Sequence, residues 1–134
     1  MMRRDFRGKA WPMNTGQIVF AQLMDFLPRH EFNRCVQRYS GNRRTRRCSC
    51  LDQFLCMAFS QLTYRESLRD IETCLRAMNT KLYHAGIRGS ISRSTMADAN
   101  ESRDWRISAD FAGVLSGRTQ KEYRRQNTGV RIFL

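Results

Sequence analysis

Arginine is the residue whose type and spacing carry the most chemistry in this chain. Four of the five positions from Arg43 to Arg47 are arginine: Arg43, Arg44, Arg46 and Arg47. A planar guanidinium fork makes bidentate contacts to phosphate oxygens and guanine edges, which an ammonium group does not. Each phosphate that such an arm neutralises releases counterions, so the run predicts binding to a polyanion that weakens with salt. A second set of candidate contacts lies between Ser92 and Arg106. There Arg93, Ser94, Thr95, Asn100 and Arg103 offer hydroxyls, an amide and guanidinium forks suited to base edges in a groove. Ser and Thr are also favoured at ordinary helix starts, so the sequence leaves both readings of this stretch open.

Other chemistries find little support. Cys48-x-Cys50 with Cys56 and His30 or His84 lacks the paired C-x₂₋₄-C spacing of a zinc knuckle, and no metal is expected. Cys35, Cys56 and Cys74 fall on or beside apolar stripes, where cysteine acts as a small hydrophobe. The chain carries five cysteines, an odd number that reads as free thiols in a reducing compartment. Asp98, Glu101, Asp104 and Asp110 are interleaved with arginines, and i, i+3 or i, i+4 pairing accounts for them better than a two-metal site. No glycine-rich phosphate loop, nucleophile elbow or Ser/His/Asp set can be assembled, so neither a catalytic residue nor a cofactor is expected.

The elements that must position these residues read as helices. Ile18, Val19, Phe20, Leu23, Met24, Phe26 and Leu27 crowd one helical face over Gly16–Leu27, and Pro28 stops it. Phe32, Cys35, Val36 and Tyr39 stand at i, i+3, i+4 and i+7 and mark a second helix over residues 29–39. Ser40-Gly41-Asn42 breaks the pattern before the arginine run. Leu51, Phe54, Leu55, Ala58 and Leu62 define a third helix from Cys50 to Leu62. Thr63-x-x-Glu66 has the form of a capping box for a fourth, with Leu68, Ile71, Leu75 and Met78 inward. The third and fourth helices with their short joint resemble a helix-turn-helix. The exposed side of the fourth, with Arg69, Asp70, Glu72 and Arg76, is close to neutral and poor chemistry for a groove. Lys81–Ile87 reads as a short piece closed by Gly86 and Gly89. A last helix starts near Ser92 and runs through Val114, with Met96, Ala99, Ile107, Phe111 and Val114 on its buried side and Arg103 interrupting the stripe.

These elements bound the architecture. The 134 residues give an all-α fold: a small helical bundle of about five to six helices with disordered basic ends. Residues 1–15 read as a basic lead, 16–116 as the helical domain and 117–134 as a basic tail without period; Met1 and Met13 are alternative starts. Lys plus Arg number 24 against 12 Asp plus Glu, a formal net charge of +12, and only three of the basic residues are lysines. That bias favours nucleic acid over an anionic membrane surface, and no run of apolar residues is long enough to span a bilayer. The N-terminus has no apolar core of a signal peptide, which predicts a cytoplasmic protein. RNA is a weaker expectation, because no sheet of stacking aromatics is present.

Several stretches resemble the N-terminal region of bacterial insertion-sequence transposases of the IS-four group, whose catalytic core is an RNase H-like DDE domain. The matching pieces are MNTGQIVFAQLMDFLP from Met13, RRTRRCSCLDQFLCMAFSQLTYRESLRDIETCL, and KLYHAGIRGSISRSTMADANESRDWRI with the start of ADFAGVL, in the family's order. The likeness covers residues 13–115, and its most specific part is the Leu62–Leu68 joint together with RSTMADAN. In that family this region precedes the catalytic domain as a DNA-binding or accessory module, and the three metal-binding carboxylates come later. The resemblance therefore implies DNA, specifically insertion-element ends, as partner, and no catalytic residue among those here. The tail beyond Ser116 departs from the family pattern, as in a truncated copy. Two further roles fit the same residues: a module that pairs with itself or with full-length transposase, and a remnant of a decayed element.

Overall fold

The computed structural model describes residues 3–4, 10–11, 19–87 and 91–130. Its elements are a two-residue antiparallel pair, Arg3–Arg4 (β1) with Ala10–Trp11 (β2), and seven α-helices with one 3₁₀ turn. The helices are α1 (Val19–Met24), α2 (Arg29–Arg38), α3 (Cys50–Leu62), α4 (Leu68–Ala77), α5 (Asn79–Leu82), α6 (Arg93–Ser102) and α7 (Trp105–Val130). The expected all-α bundle is what forms. The basic lead is described only at the β1 and β2 residues, and the expected glycine stop at Gly89 lies outside the described residues.

Two compact units are present, each built from two separate stretches of chain: residues 1–27 with 54–93, and residues 28–53 with 94–134. The boundary at Gln53–Phe54 falls inside α3.

The first unit holds α1, most of α3, α4, α5 and the 3₁₀ turn Tyr83–Ala85. Its core gathers Phe20, Leu55, Cys56, Phe59, Ile71, Leu75, Leu82 and Ile87. Phe20 and Phe59 meet edge-to-face with ring centroids 5.3 Å apart, the arrangement that the ring quadrupole favours. Gly86 closes the 3₁₀ turn at φ 86°, a left-handed conformation that costs glycine nothing.

The joint between α3 and α4 corrects one expectation. Thr63 does not cap α4; its hydroxyl donates back to the Phe59 carbonyl at 2.7 Å, on the last turn of α3. Tyr64 then takes a left-handed φ of 55°, and Ser67 is the cap, accepting from the Asp70 N–H over 3.1 Å. α4 does not begin until Leu68, so Thr63 and Glu66 both lie ahead of its first turn and the residue beside that turn is Ser67.

The second unit holds α2, the arginine loop, the start of α3, α6 and α7. Its core includes Phe32, Cys35, Val36, Cys50, Met96, Ile107 and Phe111, with Phe32 and Phe111 edge-to-face at 5.0 Å. α2 and α7 pack antiparallel: Arg38 and Tyr39 meet Asp110, while Glu31 and Arg34 line a hollow with Gly113 and Val114.

The single last helix expected from Ser92 is two. The first part ends at Ser102, and Asp104 caps the second, its carboxylate accepting from the Arg106 N–H at 3.0 Å. Ser102 meanwhile turns its hydroxyl back to the Asp98 carbonyl at 2.6 Å. Arg103, whose charge broke the apolar stripe in the sequence, sits at this corner. The residues after Ser116 also differ from the expected irregular tail: α7 carries them in helix to Val130.

Candidate nucleic-acid interface

The arginine loop is held at both ends. At its root the Gly41 N–H donates to the Val36 carbonyl at 2.9 Å, and the Arg43 N–H to the Ser40 carbonyl at 3.0 Å. Gly41 is required by close approach: a Cβ there would stand 2.5 Å from Ile107 Cδ1 and 2.7 Å from Cys50 Sγ. Asn42 then reaches forward, its side-chain oxygen accepting from the Cys50 N–H at 2.9 Å. That bond satisfies one of the free N–H groups at the start of α3. The Thr45 hydroxyl donates to the Asn42 carbonyl at 3.0 Å, and Arg44 takes a left-handed φ of 63°. At the far end Ser49 and Asp52 form a capping box: the Asp52 N–H donates to Ser49 Oγ at 3.1 Å, and the Ser49 N–H to Asp52 Oδ2 at 3.0 Å. This S-x-x-D signal is readable in the sequence, although the arginine run beside it draws attention first.

With its ends fixed, the loop lies along α6. Arg44, Arg46 and Arg47 line one wall of an open cleft of about 410 Å³, and Ser94, Thr95 and Arg103 stand on the other. The structure thus brings together the two stretches, some 50 residues apart in sequence, that the residue types mark as candidate contacts. Ser94 and Thr95 belong to the first turn of a ten-residue helix, so the positive end of its dipole lies at the same cleft. Asp98 is the one acidic residue lining it.

The remaining candidates are placed otherwise. Arg43 points to a separate hollow lined by Val36, Gln37, Ser40 and Asn42. Arg93 opens α6 and is exposed. Arg103, half-buried, donates to Gln53 Oε1 at 3.2 Å and also to the Cys48 carbonyl. Gln53 in turn donates from its amide nitrogen to Asn100 Oδ1 at 2.7 Å. Arg103, Gln53 and Asn100 are therefore joined in one network that ties α6 to the base of the loop. Sequence reading missed Asn42 and Gln53, whose partners lie across the unit and leave no local pattern.

A second polar cluster lies between α2 and α7. Asp110 accepts from Arg38 Nη1 at 2.6 Å and from the Tyr39 hydroxyl at 2.9 Å, and both hold its carboxyl below the ordinary value. The Arg106 guanidinium sits 4.7 Å above the Tyr39 ring and grips Asp104 through both carboxylate oxygens, which lowers the Asp104 pKa. Burial pushes the Cys48 and Cys50 thiols up, with Arg103 opposing it in part, so neither is a ready thiolate. All five cysteines are free of disulfides. Among the described residues no group of three or more His, Cys, Asp or Glu is placed to hold a metal, and no helix is long and apolar enough to cross a membrane.

No curated protein and no solved structure matches the chain. Residues 15–88, more than half of the 134, match the family described as "Domain of unknown function (DUF4372)", and the chain belongs to that family.

Proposed function

We propose that the second unit is a DNA-binding module, gripping the phosphate backbone in the cleft between the arginine loop and the first turn of α6. The observation that carries this reading is the convergence of Arg44, Arg46 and Arg47 with Ser94 and Thr95 on one open surface. Guanidinium forks, hydroxyls and helix N–H groups are the donors that most phosphate contacts use. The resemblance to IS-four-group transposases supplies the context: an accessory module that holds insertion-element ends and has no transposition chemistry of its own. Two of the carboxylates that invite a metal reading, Asp104 and Asp110, are engaged by Arg106 and by Arg38 with Tyr39.

Titration of labelled element-end duplex against random duplex, at several salt concentrations, tests the reading. The affinity is expected to fall steeply with salt, and Arg44→Gln/Arg46→Gln/Arg47→Gln to reduce the log–log slope by about 2 to 3. A parent protein that binds without salt dependence would overturn it, and equal affinity for random duplex would remove the specificity for element ends.

One feature of the first unit favours a second role in self-association. Val19 and Leu23 on α1 and Phe26 in the turn that follows it stand at i, i+4 and i+7, and are 70%, 47% and 79% exposed, opposite the buried Phe20, Ala21 and Met24. Such a stripe suits pairing between copies. Sizing the protein and a Leu23→Asp variant tests this; a parent that stays monomeric at high concentration argues against it.

A further inference from the structure

α7 changes character halfway along one face. Ile107, Phe111 and Val114 form the stripe that it turns to α2, with Ile107 and Phe111 buried. The positions that continue this stripe at the same alternation of four and three residues are Arg118, Lys121 and Arg125. Helical geometry keeps these residues in one seam with a drift of about 20° per heptad. Where a packed helix would continue with apolar residues, this one presents cations, and every residue from Arg118 to Asn127 is exposed.

Composition points the same way. From Arg118 to Asn127 the basic residues are Arg118, Lys121, Arg124 and Arg125, against a single acid, Glu122. Glu122 forms a long, exposed pair with Arg125 at 3.6 Å, too loose to neutralise the stripe. Exposed from Arg118 to Asn127 among the described residues, this half gains little from burial, and an anionic surface would supply support that burial does not. An apolar partner helix would have to desolvate three cations, a cost of several kcal/mol each. A polyanion offsets that cost with opposite charge and with the counterions it releases.

We propose that the distal half of α7 is a second contact for duplex DNA, entering the major groove with Arg118, Lys121 and Arg125 toward the backbone. The inference rests on the DNA-binding reading above and extends it to a separate element. The stripe spans about 10 Å at 1.5 Å per residue. B-DNA carries about six charges over that length, and its major groove, about 12 Å wide, admits a helix. The deep, narrow groove of duplex RNA does not.

The test uses the full chain and a duplex of fixed length, measuring affinity against salt for four proteins. These are the parent, Arg118→Gln/Lys121→Gln/Arg125→Gln, the loop variant Arg44→Gln/Arg46→Gln/Arg47→Gln, and Glu122→Gln. The stripe variant is expected to lower the log–log slope by about 2 to 3, and Glu122→Gln to tighten binding several-fold. Circular dichroism of each free protein shows whether it retains the parent fold. An unchanged slope and affinity in the stripe variant, with the loop variant impaired, would overturn this inference and leave the cleft reading standing. A stripe variant that weakens while the loop variant does not would uphold the inference and overturn the cleft. Equal affinity for duplex RNA of the same sequence would overturn the groove contact.

Discussion

The Tyr39 hydroxyl donates to the Asp110 carboxylate over 2.9 Å, joining residues 71 positions apart in the sequence. Arg38 adds a charge-assisted bond to the same oxygen at 2.6 Å, and together they close α2 onto α7. Both keep the folded-state carboxyl below its unfolded value, so the contribution to stability is complete above the unfolded pKa and is lost as pH falls through the folded one. The stability difference between the parent and Asp110→Asn is therefore expected to be full at neutral pH and to shrink below about pH 4. Urea melts at a series of pH values measure it; a constant difference down to the acid limit would contradict the pairing.

Ser67, not Thr63, caps α4, and the two assignments predict different mutants. Ser67→Ala is expected to cost about 0.5 to 2 kcal/mol, whereas Glu66→Ala should fall within about 0.5 kcal/mol of the parent. Thermal melts distinguish them. A loss at Glu66 with none at Ser67 would restore the Thr63-x-x-Glu66 capping box that the sequence suggests.

Gly41→Ala forces a methyl group against Ile107 Cδ1 and Cys50 Sγ, two side chains that are themselves buried. Overpacking of this kind costs about 1 to 3 kcal/mol. Ile107→Val removes the nearer of the two atoms, so the double variant should recover part of the loss made by Gly41→Ala. Additive losses in the double-mutant cycle would show that the two sites do not touch.

Arg103 is placed to hold the loop rather than the ligand, since it bridges the Cys48 carbonyl and Gln53. An ammonium cannot reproduce the fork geometry, so Arg103→Lys should speed amide hydrogen exchange across Asn42–Ser49. It should also lower affinity for duplex while leaving the salt slope nearly unchanged, unlike a single substitution at Arg46, which should reduce the slope by about 0.9. A slope reduced equally by both would make Arg103 a direct phosphate contact.

Much of the scaffold was legible in the sequence. Periodicity alone sets α2 within a residue and α3 at its observed ends, because an apolar stripe repeats every 3.6 residues whatever it packs against. The near-neutral outer face of α4 was equally plain, and the Arg76–Glu72 pair at 2.9 Å shows that charge satisfied within the helix. The break at Ser102–Asp104 was signalled by Arg103 interrupting the stripe, but the capping role of Asp104 competes with i, i+3 pairing and local pattern does not choose between them. The helical extension through Arg118–Val130 left no apolar period to find.

The all-α class, the spans of α2 and α3 and the excess of arginine are written into the chain locally. All three follow from interactions within a few residues or from simple composition. Long-range packing selects which candidate contacts share a surface. Arg44, Arg46 and Arg47 face Ser94 and Thr95 because the loop is tied at Asn42 and Ser49. Arg103 and Asn100 are drawn into a network with Gln53 because packing sets α6 beside the root of α3. Partners about 50 residues apart are chosen by burial and by the need to satisfy half-buried polar groups, and neither leaves a periodic trace in the chain.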